Sequence, residues 1–353
     1  MSSRLVFRIL LSASLVFCLG CDNDDSTTNP NNTTSILYPV KQGGKDGYMD
    51  NTGKVVVTPV YEFAGGYLDA MSHALKVGND ITMASIRAQG KVGYVDNTGK
   101  LVIQPAYELG SQFYDGLAAV RLGKYGYITK SGTVALPLQY SSARIFTEGL
   151  AAVTLDGQKW GFIDKTGVTK IAFTYDDASP FVGGLASVKS GAKWGCINTS
   201  GTMVIPAVYE AVMPFSEGLA FVMQNGKAGY INTSGTVVIP LQYETGDDEW
   251  AMFADGLGGV KSNGKIGFVD KSGTMVITPQ FEDAGFFYEG LCPVKKNGLY
   301  GYIDKTGAMV IQPQFFRAYA FTQGLAYVIV QSGGEYKYGY INKAGVYVWQ
   351  PSL

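Results

Sequence analysis

The residues of this chain that could do chemistry recur together. The clearest copy, Trp160-Gly161-Phe162-Ile163-Asp164-Lys165-Thr166-Gly167, ends in a carboxylate, an amine, a hydroxyl and a glycine, the makings of a calcium or phosphate loop. A calcium loop needs several oxygen ligands converging on one ion, and a phosphate loop needs a strand leading into a helix. Neither context surrounds Asp164 or its counterparts Asp50, Asp96, Asp270 and Asp304, and Asn198, Asn232, Asn342 and Thr129 replace the Asp elsewhere. What Asp, Asn and Thr share is the ability to hydrogen-bond a turn backbone, while Gly167 and Gly201 supply the positive φ of a tight turn. The stretch reads as strand and hairpin turn, with no metal and no cofactor expected.

Other reactive groups are few. Acids precede Gly-Leu at Asp115, Glu148, Glu217, Asp255 and Glu289, as a rim or an acidic stripe. Glycoside hydrolysis needs two carboxyls in unlike environments, and repetition argues against that. The single histidine, His73, excludes a multi-His metal site and has no nucleophile pattern beside it; it falls where other units have the Gly before Leu. Cys196 and Cys292 each replace an apolar residue of a recurring pattern and read as small buried hydrophobes. No catalytic residue stands out, and a glycoside-active enzyme is the weakest reading.

The elements that position these groups are strands. The charged fraction is 16%, the hydrophobic fraction 46%, and 46 Gly, 23 Tyr and 18 Phe suit strands and tight turns rather than helices, so an all-β protein is expected. A net charge of -1 gives no general attraction for nucleic acid.

The first residues stand apart. Arg4 and Arg8 precede an apolar run and then Cys18-Leu19-Gly20-Cys21, which reads as a signal peptide over residues 1–20 ending in a lipobox-like site, with Cys21 acylated. Residues 21–35 hold that Cys and a polar tether, DNDDSTTNPNNTTS, whose 14 residues span roughly 20 Å as a flexible coil. A lipid-anchored, extracytoplasmic place in a bacterial cell envelope follows as an expectation, with the outer membrane or cell surface favoured and the lipid as the only membrane contact.

Residues 36–353 are built by repetition. A Gly before an aromatic or small apolar residue recurs at Gly47, Gly93, Gly126, Gly161, Gly195, Gly229, Gly267, Gly301 and Gly339, which defines nine units. Each unit reads as a three-stranded antiparallel meander with a return loop. Two rows of aromatics, such as Tyr107, Tyr140 and Tyr175 and then Phe113, Phe146 and Phe181, are the expected mortar between units. The pattern from Gly-Leu-Ala-x-Val through Lys-Trp-Gly-Phe-Ile-Asp-Lys-Thr-Gly to Val-Ile-Pro resembles the bacterial WG-repeat (KWG) family, although only Trp160-Gly161 and Trp194-Gly195 carry the Trp itself. The resemblance implies an interaction-type repeat module and brings no reaction or functional residue. Nine units exceed the usual four to eight propeller blades, and no closing strand from the opposite terminus is evident. The expectation is an open, curved solenoid, with a closed propeller-like ring as the alternative.

Function is sought where repetition breaks: Gly78 to Gln89, Thr245 to Met252 with Asp247, Asp248, Glu249 and Trp250, and the longer turn Gln331 to Lys337. The leading expectation is a non-catalytic scaffold for a protein partner. The alternative is a carbohydrate or peptidoglycan binder whose aromatics stack on sugars.

Overall fold

A computed structural model of the chain describes residues 37–65, 82–245 and 251–353, which form an all-β molecule of nine small antiparallel sheets. The fourth sheet shows the rule. Leu150–Thr154 and Trp160–Asp164 pair from Leu150 opposite Asp164 to Thr154 opposite Trp160, and Thr169–Tyr175 adds beyond. The segment after the third long strand, expected as a loop, holds a further element. One residue past Tyr175, the short strand Asp177–Ala178 pairs with the next sheet, Asp177 opposite Lys189 and Ala178 opposite Val188. Among the described residues, seven sheets have these four strands and two, the first and seventh, have three.

The open solenoid expected from the sequence is incorrect. The nine sheets stand in a ring, the arrangement of a nine-blade β-propeller, and the last blade packs on the first. One hydrophobic cluster joins Leu325 and Tyr340 of blade nine to Leu37, Tyr38, Val40 and Tyr48 of blade one, with Val348 and Trp349 packed against it. The Tyr340 hydroxyl donates to the Pro39 carbonyl at 2.8 Å, and the Tyr38 hydroxyl donates to the Thr322 carbonyl at 3.1 Å. The expectation failed because it sought a strand shared between the termini. Closure here is made by blade faces, side-chain hydroxyls and a backbone bond from the Gly44 N–H to the Leu353 carbonyl at 3.5 Å, with blade one contributing its own three strands and blade nine its own four.

The repeated Gly has a steric cause. Opposite Gly195 the third strand bulges, its register shifting between the pairs Trp194–Tyr209 and Cys196–Ile205, and its backbone crowds the second strand. A Cβ on Gly195 would lie 2.4 Å from the Ile205 carbonyl oxygen and 2.7 Å from the Ala207 nitrogen; on Gly161 it would lie 2.7 Å from the Ile171 oxygen. Only glycine lets the two backbones approach so closely.

The residue after that Gly is the centre of each junction. Tyr48, Tyr94, Tyr127, Phe162, Cys196, Tyr230, Phe268, Tyr302 and Tyr340 are all buried. Most meet an aromatic of the next blade's loop edge-on or tilted, as Tyr94 meets Phe113 at 5.0 Å, Tyr127 meets Phe146 at 4.7 Å and Phe162 meets Phe181 at 4.8 Å. Such a pair contributes about 1 kcal/mol beyond its burial. The phenols also pair: Tyr94 donates to the Ser111 carbonyl and Tyr127 to the Arg144 carbonyl, both at 2.7 Å. Burial with satisfied polar tips explains why Tyr serves as well as Phe at this place.

One placement corrects the sequence reading of blade two. Met83–Ala88, read as part of an insertion from Gly78 to Gln89, is that blade's first long strand, and Met83 lies opposite Asp96 as Leu117 lies opposite Thr129. Met83 therefore holds the Leu register and Thr82 the place of the preceding Gly. His73 itself lies outside the described residues.

Candidate functional site

The potentially reactive groups among the described residues can be placed in the ring. The Asp164 carboxylate turns inward on its own hairpin: Oδ1 accepts from the Thr166 amide at 2.9 Å, the Thr166 hydroxyl at 2.6 Å and the Val168 amide at 3.0 Å. The Thr166 hydroxyl is the chief reason its pKa is lowered to about 2. Gly167 and Gly201 sit at φ of +83°, the left-handed conformation these turns require. Gly167 also seats its turn on Leu136 of the preceding blade, and Gly201 seats on Ile171. Asn198 makes the same three bonds to Ser200 and Thr202. Among the described residues no group of three or more His, Cys, Asp or Glu side chains could hold a metal ion.

The acids before Gly-Leu tie blades together. Asp115, Glu148, Glu217, Asp255 and Glu289 all have φ between +51° and +53°. Each carboxylate accepts the backbone N–H of the equivalent Gly one blade on: Gly149 to Asp115 at 2.8 Å, Gly184 to Glu148 at 3.0 Å, Gly256 to Glu217 at 3.1 Å, Gly290 to Asp255 at 2.6 Å and Gly324 to Glu289 at 3.0 Å. The next blade's turn lysine adds an ion pair to three of them, Lys165 to Asp115, Lys271 to Glu217 and Lys343 to Glu289. A side chain held in the left-handed region costs roughly 1 to 2 kcal/mol, and a charge-assisted bond of about 1.5 to 3 kcal/mol offsets it. This row is a structural staple between neighbouring blades. Sequence pattern placed the acids; the glycine partner one repeat on was the missed signal.

Trp160 and Trp194, each 8% exposed, lie in the packed junctions. The Arg144 guanidinium stands 4.9 Å over the Trp160 ring and pairs with Asp177 of the next blade. Cys196 and Cys292 are buried free thiols, and burial pushes the Cys196 thiol up to about 12, far from a reactive thiolate.

The breaks in the repeat divide. Asp247, Asp248, Glu249 and Trp250 lie outside the described residues, as does Cys21. At the end of the same break and just after it, Met252 and Ala254 of blade seven form a buried cluster with Val182 of blade five, Phe286 of blade eight and Ala320 of blade nine. In a nine-membered ring only side chains near the axis join blades that are not neighbours, so these loops meet at the hub. The third break, in blade nine, is a longer hairpin, with Leu325–Ser332 and Glu335–Asn342 running eight residues each where most blades have five or six. Around it stand Phe316, Tyr319, Tyr327, Tyr336 and Tyr338, the largest collection of partly exposed rings among the described residues.

Among curated proteins, none matches this sequence. Solved structures with a similar course of chain include BamB from Moraxella catarrhalis, at 11% identity over 80% of this chain and 99% of that one with a TM-score of 0.44. Hsv2 from Kluyveromyces lactis matches at 8% identity over 56% of this chain and 70% of that one, TM-score 0.36. A quinonprotein alcohol dehydrogenase-like protein from Bacteroides thetaiotaomicron matches at 11% identity over 77% of this chain and 83% of that one, TM-score 0.36. Likenesses this remote lend no activity, ligand or partner to this chain. The WG containing repeat, by contrast, matches eight times, at residues 47–69, 93–124, 125–158, 160–194, 194–227, 229–265, 266–300 and 300–336. These matches fall one per blade from the first to the eighth hairpin and run into the ninth, with the same Gly and the same bulge in each, and the chain belongs to the WG containing repeat family.

Proposed function

We propose that this protein is a membrane-anchored extracytoplasmic lipoprotein whose propeller serves as a non-catalytic scaffold for another protein. The observation that carries the non-catalytic part is the employment of the recurring carboxylates: turn acids such as Asp164 bond their own hairpins, and Asp115, Glu148, Glu217, Asp255 and Glu289 bond the next blade. Groups so engaged are not poised as acid, base or nucleophile. The anchoring part rests on the lipobox-like Cys21 and the polar tether after it, which support a ring held at the cell envelope, with the outer membrane or cell surface favoured.

Two experiments test the reading separately. Labelling with a radioactive fatty acid should mark the full chain and not Cys21→Ala; equal label in both refutes the anchor. Affinity capture from envelope extracts, with the ring as bait, should return the same protein from independent preparations. Capture of nothing, together with unchanged envelope phenotypes on deletion of residues 36–353, refutes the scaffold.

A further inference from the structure

Most blades close their first hairpin alike. The residue linking one blade to the next is an acid in blades two, five, six, seven and eight, and its carboxylate accepts the N–H of the hairpin glycine: Glu62 from Gly90, Asp176 from Gly191, Glu210 from Gly226, Glu244 from Gly264 and Glu282 from Gly298. These bonds put the links and the first hairpins at one end of the blades. The acid staple and the second-hairpin turns meet at the other end, where Lys165, Lys271 and Lys343 pair with Asp115, Glu217 and Glu289. The ring therefore has two faces built from different parts.

Those faces differ in charge. Among the described residues, the links and first-hairpin ends carry 15 Lys and Arg against nine Asp and Glu, whereas the staple loops and second-hairpin ends carry eight against ten. The excess comes chiefly from a lysine two residues before the repeated Gly, present in every blade except the eighth, which has Leu299 there. Lys45, Lys91, Lys227 and Lys265 close their hairpins opposite Gln42, Ala88, Gln224 and Ser262. Among the described residues no carboxylate pairs with these four, in contrast to Lys159 with Asp176 and Lys193 with Glu210. Lys45, Lys227 and Lys265 are exposed, and so are Leu122, Leu155 and Leu299 on the first hairpins of blades three, four and eight.

We propose that this basic face is the docking surface for an acidic protein, a proposal that rests on the scaffold reading above and names the chemistry of its partner. A small anion needs donors that converge, and these lysines stand one to a blade around a ring. What they fit is a broad surface with dispersed carboxylates, which the field of the face would steer into place. The exposed leucines between the lysines suit a protein, whose interfaces combine apolar contacts with a charged rim, better than a uniformly hydrated acidic polysaccharide. An acidic bilayer fits less well, because the strand Tyr38–Gln42 starts opposite Met49, beside the Asp50 turn, and so the tether joins the ring at the opposite, acidic face.

The test measures binding of the full chain to an immobilised glutamate–tyrosine copolymer, with polygalacturonate and phosphatidylglycerol vesicles as the competing surfaces. The copolymer should bind best, and its affinity should fall steeply between about 50 and 200 mM salt. Reversing three partnerless lysines together, Lys45→Glu, Lys227→Glu and Lys265→Glu, should weaken binding roughly tenfold. The same change of net charge on the opposite face, Lys54→Glu, Lys100→Glu and Lys305→Glu, should weaken it less than about twofold. Equal melting temperatures of the two triple variants show that both keep the ring. No binding of the copolymer, equal losses in the two triples, or tighter binding of the polysaccharide or the vesicles overturns the proposal. A protein captured from envelope extracts equally by both triples would leave the scaffold standing and remove this face from it.

Discussion

The interior junctions and the closing junction of this ring share three kinds of contact, two of them made from different parts. Between blades four and five, the linking Asp176 donates its backbone N–H to the Lys189 carbonyl, and the Gly201 turn rests on Ile171. Between blades nine and one, the Ser352 hydroxyl takes the equivalent Lys41 carbonyl, and the Gly53 turn rests on Val348. The third contact, a buried phenol donating to the next blade's first strand, is the same at the seam, where Tyr340 reaches Pro39, as between blades one and two, where Tyr48 reaches Ser85 at 2.7 Å. What differs is the short leading strand, absent from blade one among the described residues, beside which Tyr327 and Tyr338 gather with Lys41 over the Tyr338 ring. A repeat ring therefore closes by satisfying contact positions, and at the seam the Ser352 hydroxyl fills one that a backbone N–H fills between blades four and five.

The largest effect that would sharpen this comparison lies at the close-approach glycines. Gly195→Ala would force a Cβ to 2.4 Å from the Ile205 oxygen, whereas at Gly339 of the seam blade the nearest atom, the Trp349 oxygen, is 2.9 Å away. Chemical denaturation should show Gly195→Ala losing about 3 kcal/mol and Gly339→Ala about 1 kcal/mol, the range overpacking covers. Equal losses would mean that the seam blade is as tightly built as the interior.

Removing the seam hydroxyls comes next. Tyr340→Phe with Ser352→Ala should cost about 2 kcal/mol, since each leaves a carbonyl acceptor without its donor. The melting temperature measures it, and no change would show that the ring does not depend on these bonds to close. A smaller contrast lies in the acid staple. At Glu217, with φ of +51°, Ala keeps the backbone strain and loses the bond to Gly256, while Gly loses the bond and relieves the strain. Glu217→Ala should therefore be less stable than Glu217→Gly by about 1 kcal/mol; blade five already carries Gly183 at this place. The reverse order would remove strain from the account of the staple.

Acid supplies the mildest test. Asp164, Asp270 and Asp304 have carboxyl groups held below their ordinary 3.8, chiefly by the hydroxyls of Thr166, Ser272 and Thr306, and Asp164 is lowered to about 2. A folded-state pKa that is depressed gives stabilisation present above the unfolded value and lost as pH falls through the folded one. Stability should decline from about pH 4 toward pH 2. Replacing all three by Asn, the residue blades five and nine carry at Asn198 and Asn342, should flatten that decline.

Much of this was legible from the residues. The Gly before Phe162 or Tyr127 fixed the period, and the Asp-Lys-Thr-Gly run fixed a hairpin turn, because both are local demands that one residue type meets. Ala178 and its equivalents were not legible as a strand, since two residues carry no alternation. In sequence the stretch His73-Ala-Leu-Lys-Val imitates the Gly-Leu-Ala-x-Val start more closely than Met83–Ala88 does, so that strand was not legible. Ring closure was illegible for a different reason. It depends on a small rotation accumulated over nine blades and on single hydroxyls at Tyr340 and Ser352, and a one-dimensional pattern encodes neither. In blade nine, the longer turn before Lys337 was visible, but the meeting of Phe316 with Tyr336 and of Tyr319 with Tyr327 needed the sheet register.

The central claim, a closed ring, is tested most directly by pulsed electron-spin distances in a chain with Cys18 and Cys21 replaced by Ser. One spin-labelled pair spans the seam at Lys45 and Lys337; the reference pair spans an interior junction at the equivalent Lys193 and Lys227. A closed ring predicts that the two distance distributions coincide. A seam distance far longer than the interior one would contradict closure and return the molecule to an open array.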